Sequence, residues 1–329
     1  MIPGTRIERL AAATLACALL LASPAMAQTY PAKTVRVVIP YGPGGLGDVL
    51  GRTLGRKMAE TLAQPVIIEN KPGAAGMLGA ASVAKAAADG YTVLLGYTSE
   101  MTVAPQLVRD AAYDTTRDFE PVALGGVSPL LLVGNPSIPG ASLQDFIAAA
   151  KRAPGTYAYA SAGNGSPAHF AGELLKQSAG IELLHVPYKG GAQAVTDVLG
   201  GVVHVYFSGF PPAVPHVRSG KMKALAVTGK QRSSALPQVP TLDESGVPGI
   251  ELSGWFGYFV PRGTPDEAVR RLNEAVNAAI AQADVQSALS DLGVILAPGT
   301  PAAFKGFVSD ETRKYRALIE KLDLMPKKQ

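Results

Sequence analysis

The feature that most constrains this chain is a rhythm. Short β-branched runs alternate with Ala-rich amphipathic stretches, and glycine-bearing loops join them. Such alternation builds βα units on a parallel sheet. The first set predicts a strand over 34–40, a glycine loop over 41–47 and a helix over 48–62. A strand over 66–69, a loop over 70–76, a helix over 78–88 and a strand over 92–96 follow. A second set predicts a strand over 157–161, a loop over 162–166 and a helix over 167–179. It continues with a strand over 183–187, a loop over 188–191, a helix over 192–199 and a strand over 202–207. Beyond Pro211-Pro212 come a short helix and a strand over 224–228. Helices over 265–282 and 302–322 complete the pattern.

Two apolar segments lie between these sets. Residues 122–135 are interrupted by Gly125-Gly126 and Pro129, and residues 253–260 carry Trp255. Read as crossings, they divide the chain into two lobes, 28–124 with 253–315 and 125–252, the final helix packing across both. Two strand-like crossings make a natural hinge. Periodicity alone leaves ordinary strand-and-turn structure within one domain as the alternative.

The opening residues read as a cleavable secretion leader, residues 1–27: Arg6 and Arg9, an uncharged apolar run over 10–21, then Ala25-Met26-Ala27. That places the mature chain in the periplasm, starting at Gln28. The apolar run is short for a membrane span, the alternative reading. Cys17 is the single cysteine and falls within the leader. The mature chain then has no disulfide, no thiol chemistry and no thiolate metal site. The formal charge of +4 is spread along the chain, which is not a nucleic-acid footprint.

The sharpest local motif is Tyr41-Gly42-Pro43-Gly44-Gly45-Leu46-Gly47-Asp48. It falls at the carboxyl end of a strand, where open α/β sheets bind ligands, and at a helix start, where unpaired N–H groups favour an anion. Gly42, Gly44 and Gly47 also spell G-x-G-x-x-G, with Glu69 ending the next strand, so a dinucleotide site is an alternative. Pro43, which removes a backbone donor, weighs against it. A second such loop is Ser161-Ala162-Gly163-Asn164-Gly165-Ser166, with Ser166 as N-cap, Pro167 as first helical residue and His169 in the first turn. Tyr97-Thr98-Ser99-Glu100 and Tyr188-Lys189 follow other strand ends. Glu100 reads as a selector of a ligand ammonium or as a plain solvent or helix-start residue, and Lys189 as surface or cleft cation. His185 and His204 read as packed within apolar strands. No G-x-S-x-G, Walker A or H-E-x-x-H pattern occurs.

Several motifs together resemble the periplasmic receptors of tripartite tricarboxylate transporters, the Bug-type solute-binding proteins. They include Gln64-Pro65-Val66, Glu69-Asn70-Lys71-Pro72-Gly73-Ala74, Val83-Ala84-Lys85-Ala86 and Asp89-Gly90-Tyr91-Thr92. Tyr159 to Ser166, His185 to Gly190, Pro240-Thr241, Glu244-Ser245-Gly246 and Trp255-Phe256-Gly257 complete them. The resemblance covers the chain from about Tyr30 to the last helix. It implies an α/β, two-lobe, Venus-flytrap fold of type II-like periplasmic binding proteins, closing on a small carboxylate- or amide-bearing solute. It implies a ligand site of Tyr41, Gly44, Gly45 and Asp48 facing Ser161, Asn164, Gly165, Ser166 and His169. Leu46, Tyr97, Thr98, Ser99, Tyr188 and Ser208 are the further candidates. Two departures stand out: Gly47 occupies a position where the family carries a hydroxyl, and Phe207-Ser208-Gly209-Phe210 lacks the family's acidic or amide pair. With Tyr41, Tyr97 and Phe210, this favours a solute with an apolar or aromatic part. The expectation is a monomeric receptor without enzymatic activity, metal or cofactor, handing its solute to membrane transporter subunits. An envelope sensor with the same cleft and an exported dinucleotide-binding oxidoreductase are the alternatives.

Overall fold

A computed structural model of the chain describes residues 30–108, 111–188 and 191–324. The expected leader with Cys17, and Lys189, lie outside them. The described residues fold around two five-stranded sheets.

The first sheet holds β1 (Val35–Ile39), β2 (Val66–Asn70), β3 (Thr92–Tyr97), β4 (Phe119–Pro129) and β10 (Ser253–Pro261), in the order β2-β1-β3-β10-β4. The second holds β5 (Leu131–Gly134), β6 (Ala158–Ser161), β7 (Leu184–Pro187), β8 (Val205–Ser208) and β9 (Lys223–Val227), in the order β7-β6-β8-β5-β9. The βα rhythm predicts parallel strands, and β1, β2 and β3 pair so, as do β6, β7 and β8. Each sheet also contains one reversed strand, β10 in the first and β5 in the second. The reversed strand is in each case the one that arrives from the other sheet.

The passage between sheets falls at Leu130. The expected change at 124/125 is therefore corrected, because β4 runs on through Gly125-Gly126 and stays paired with β10 as far as Pro129. Thr228 fastens the junction. Its hydroxyl accepts from the Leu130 N–H and donates to the Leu252 carbonyl, so one buried side chain ties the first passage to both ends of the second.

Helices cover the sheets: α1 (Leu46–Leu62), α2 (Met77–Ala84), α3 (Ala104–Leu107), α4 (Thr115–Asp118), α5 (Leu143–Arg152), α6 (Pro167–Ala179), α7 (Gly191–Leu199), α8 (Phe210–Arg218), α9 (Asp266–Ile280), α10 (Ala283–Ser290) and α11 (Pro301–Lys321). α2 is shorter than its Ala-rich sequence suggests, since the chain must turn at Asp89-Gly90 to start β3. α8 starts at Phe210, so Pro211 and Pro212 sit in its first turn, where no N–H is needed.

Leu50, Leu54 and Met58 of α1 pack with α9 on one face of the first sheet. Trp255 and Phe259 pack with Phe304 and Val308 of α11 on the other. Tyr315 and Ile319 of the same helix belong to the core of the second sheet. α11 therefore reaches from one core into the other. Among the described residues, no helix is long and apolar enough to cross a membrane.

Candidate functional site

Topology places the candidate site before any side chain does. β1 is flanked by β2 and β3, and β6 by β7 and β8. The chain leaves the carboxyl ends of these strands in opposite directions, which opens a crevice there. The Tyr41–Gly47 and Tyr97–Glu100 segments lie at that end of the first sheet. The Ser161–Ser166 turn, Tyr188 and Ser208 lie at that end of the second.

In the first turn, Gly44 takes φ +85° and donates its N–H to the Asp48 carboxylate at 3.0 Å. Asp48 also accepts from Arg52 Nε and from Asn70 Nδ2, and Asn70 Nδ2 bonds the Tyr41 carbonyl. Burial works against the Asp48 charge, but these bonds hold its carboxyl below the ordinary carboxylate range. Asp48 thus braces the loop, with both carboxylate oxygens engaged inside it. Gly45 is the N-cap of α1 without a side-chain cap, so the N–H groups of Gly45, Leu46 and Gly47 have no partner among the described residues. The space beside Gly42, Gly44 and Gly45 is open.

Gly47 is required by its neighbour. A Cβ at 47 would lie 1.4 Å from the Tyr97 hydroxyl oxygen. The Tyr97 ring is held by stacking on Tyr41 (4.6 Å, 12°) and edge-on against Phe256 (4.7 Å). Tyr97 therefore brings a hydroxyl to the helix start, where the missing hydroxyl at 47 would have been. Tyr41 reaches Glu100 Oε2 (2.9 Å) and the Ala75 carbonyl (3.1 Å). Glu100 lies in the first turn of the short helix Ser99–Val103, so of the plainer reading the helix start holds and the solvent exposure does not: it is wholly buried, and burial pushes its carboxyl up to about 8. A neutral Glu100 gives a consistent proton order, in which the acid donates to Tyr41 and Tyr41 to Ala75. Thr98 turns away, its hydroxyl accepting from the Trp255 N–H.

In the second turn, Ser166 caps α6 by accepting from the His169 N–H and donates to the Gly163 carbonyl. The Gly165 N–H goes to His169 Nδ1 (3.2 Å), so Gly165 serves through its shape (φ +76°), not as a donor. Ala162 and Asn164 keep unpartnered N–H groups among the described residues, and both are exposed. Ser161 is buried, its hydroxyl 2.7 Å from His185 Nε2. His185 stacks between Tyr159 (4.8 Å) and His169 (4.3 Å). Burial holds both imidazoles down, His185 to about 4. Tyr188 Oη donates to Asp197 and Ser208 Oγ to the Gly209 carbonyl, so both hydroxyls are used within the second half.

Asn164 and Gly165 line a cavity of about 570 Å³ together with Ser99, the 74–81 and 103–108 segments and Ala112. Gly44 is not among its lining residues. The link to the first turn is Tyr41, through Ala75 and Glu100. Phe210 is buried against Gly293 of the other half rather than free in the crevice. The acid of the dinucleotide alternative, Glu69, pairs with Arg36 at 3.1 Å. Sequence reasoning missed Asn70, and it placed His185 only as packing. The signal for Asn70 was its position at the end of β2, one strand from the glycine loop. For His185 there was none, because its partners come from β6 and α6. No cluster of three metal-ligating side chains occurs among the described residues.

Comparison with known proteins identifies the family of the chain. The family model described as tripartite tricarboxylate transporter family receptor matches residues 50–324. Protein BugT of Bordetella pertussis is 38% identical over 300 residues, covering 91% of this chain and 92% of its own. The periplasmic binding protein BugD superposes with a TM-score of 0.82 at 32% identity, over 91% of this chain and all of its own. R. palustris Rpa4515, solved with adipate, superposes with a TM-score of 0.84 at 33% identity, over 89% and 98%.

Proposed function

The chain belongs to the tripartite tricarboxylate transporter family of receptors, and on that premise we propose that it is a periplasmic receptor that captures a small organic carboxylate, or a related amide, between its two lobes. It delivers the solute to membrane transporter subunits and performs no chemistry on it. The leader at residues 1–27 takes it to the periplasm, where it acts as a monomer. One lobe comprises the first sheet with residues 253–315, the other the middle of the chain.

The observation that carries this reading is the pair of helix starts at the carboxyl ends of β1 and β6. Each opens on a turn whose own polar side chain, Asp48 or His169, is consumed in bracing it. What remains for a guest is backbone N–H, the Tyr97 hydroxyl and the positive end of two helix dipoles. That donor set suits a negative group. The solved relative with adipate supports a carboxylate as the guest.

Calorimetric titration and thermal melting with adipate, benzoate and nicotinate, with the neutral amides alongside, test it. Bound solute raises the melting temperature by mass action, about 2.7 kcal/mol of stabilisation at a hundredfold excess over Kd. Gly45→Pro is the matched variant. Position 45 has φ −75°, which proline adopts, and room for a Cβ, and the change removes the N–H. Affinity falls about tenfold for one charge-assisted hydrogen bond, and the unliganded melt, compared with the parent, checks that the turn at Gly44 is kept. If neither acids nor amides alter the melt at millimolar concentration, the reading is wrong.

A further inference from the structure

The cavity beside the second turn has a lining unlike the donor set just described. Met77, Leu78, Val103, Leu107 and Val108 dominate it, and its polar side chains among the described residues are Ser99 and Asn164. No lining side chain among the described residues is charged. Leu78 and Val108 are 57% and 43% exposed, so neither is spent on a core. The volume of about 570 Å³ lies within the range of small-molecule sites, about 300–1,000 Å³. The two halves approach closely here: at Gly165, φ +76°, a Cβ would lie 2.9 Å from Leu107 Cδ1.

We propose that the solute is a monocarboxylate with an extended apolar body, which lies in this cavity while the carboxylate is held at the glycine turns. This rests on the receptor reading above and adds the class of ligand. The cavity meets the second turn at Asn164 and Gly165. It also borders the Tyr41–Ala75 contact of the first turn. A guest anchored by its negative end at these turns therefore has one apolar direction open to it. The described lining offers a second carboxylate no cation to pair with, whereas each buried methylene gains affinity.

Titration with butyrate, hexanoate, octanoate and adipate decides the matter. Affinity rises about two- to fourfold per methylene along the monoacid series, as burial of hydrocarbon requires. Adipate binds at least tenfold more weakly than hexanoate, which has the same number of carbons. Leu78→Arg, at a half-exposed position that tolerates charge, reverses the hexanoate–adipate preference. Its unliganded melt, compared with the parent, checks that the fold is kept. A Kd independent of chain length, or adipate binding more tightly than hexanoate in the parent, overturns the proposal and leaves a carboxylate receptor standing. Absence of binding by every acid overturns the proposal, and absence of binding by the neutral amides as well removes the receptor reading.

Discussion

Glu100 shows how one residue carries a condition on its surroundings. Its carboxyl has no cation beside it, only the Tyr97 N–H and the Tyr41 hydroxyl. Burial raises its folded pKa from the ordinary 4.5 to about 8. The folded protein thus keeps a proton that the unfolded chain gives up, and stability falls as pH rises from about 4.5 to 8. Glu100→Gln reproduces the neutral form and its hydrogen bonds. We expect equal melts near pH 4.5 and a higher melt for the variant at pH 8.5, by on the order of 1–3 kcal/mol. A variant less stable at both pH values would show that the charge is welcome there. Gly47 is constrained in a different way, by volume. Gly47→Ala drives Tyr97 off the Tyr41 ring at a cost of about 1–3 kcal/mol in urea denaturation. Pairing it with Tyr97→Leu costs less than the two single changes summed, since the clash is gone. Strict additivity would deny the contact.

At the scale of elements, the turn before α6 rests on the Tyr159–His185–His169 stack. Glu173 and Lys176 of the same helix are the charged groups facing it, and Glu173 accepts from both Tyr159 and Lys176. Burial lowers both histidine pKa values, so on acidification the unfolded chain takes up protons first. Stability is intact above about pH 6.5 and declines towards pH 4, the folded value for His185. Protonation of His169 Nδ1 also replaces the acceptor of the Gly165 N–H by a donor. His185→Gln should flatten the decline in melting temperature between pH 6.5 and 4.5, and an unchanged slope would acquit the stack. Little of this was legible beforehand. The strands, α1, α6 and both glycine turns were, because period and punctuation are local properties of sequence. α5 was passed over although Ser142 and Asp145 form a capping box ahead of Phe146 and Ile147, a signal present in the residues themselves. The stack and the Gly47–Tyr97 fit were not legible. Their members come from strands that topology alone brings together.

For the molecule as a whole, α11 is the element that prevents the two halves from being independent. Phe304 and Tyr315 are both fully buried, in different cores. Tyr315 packs edge-on against Phe170 of the second half at 5.2 Å. Tyr315→Ala should cost about 3–5 kcal/mol and split a single melting transition into two as the second half is released. One sharp transition, displaced by less than a degree, would show that the helix is no strut. The reversed strand β10 carries a consequence of another kind. β3 and β4 pair with it and not with each other. Until residues 253–261 have been synthesised, the opening portion of the polypeptide has a gap where its middle strand belongs. The half that is made first is therefore finished last, after the sheet of the other half already has all its strands.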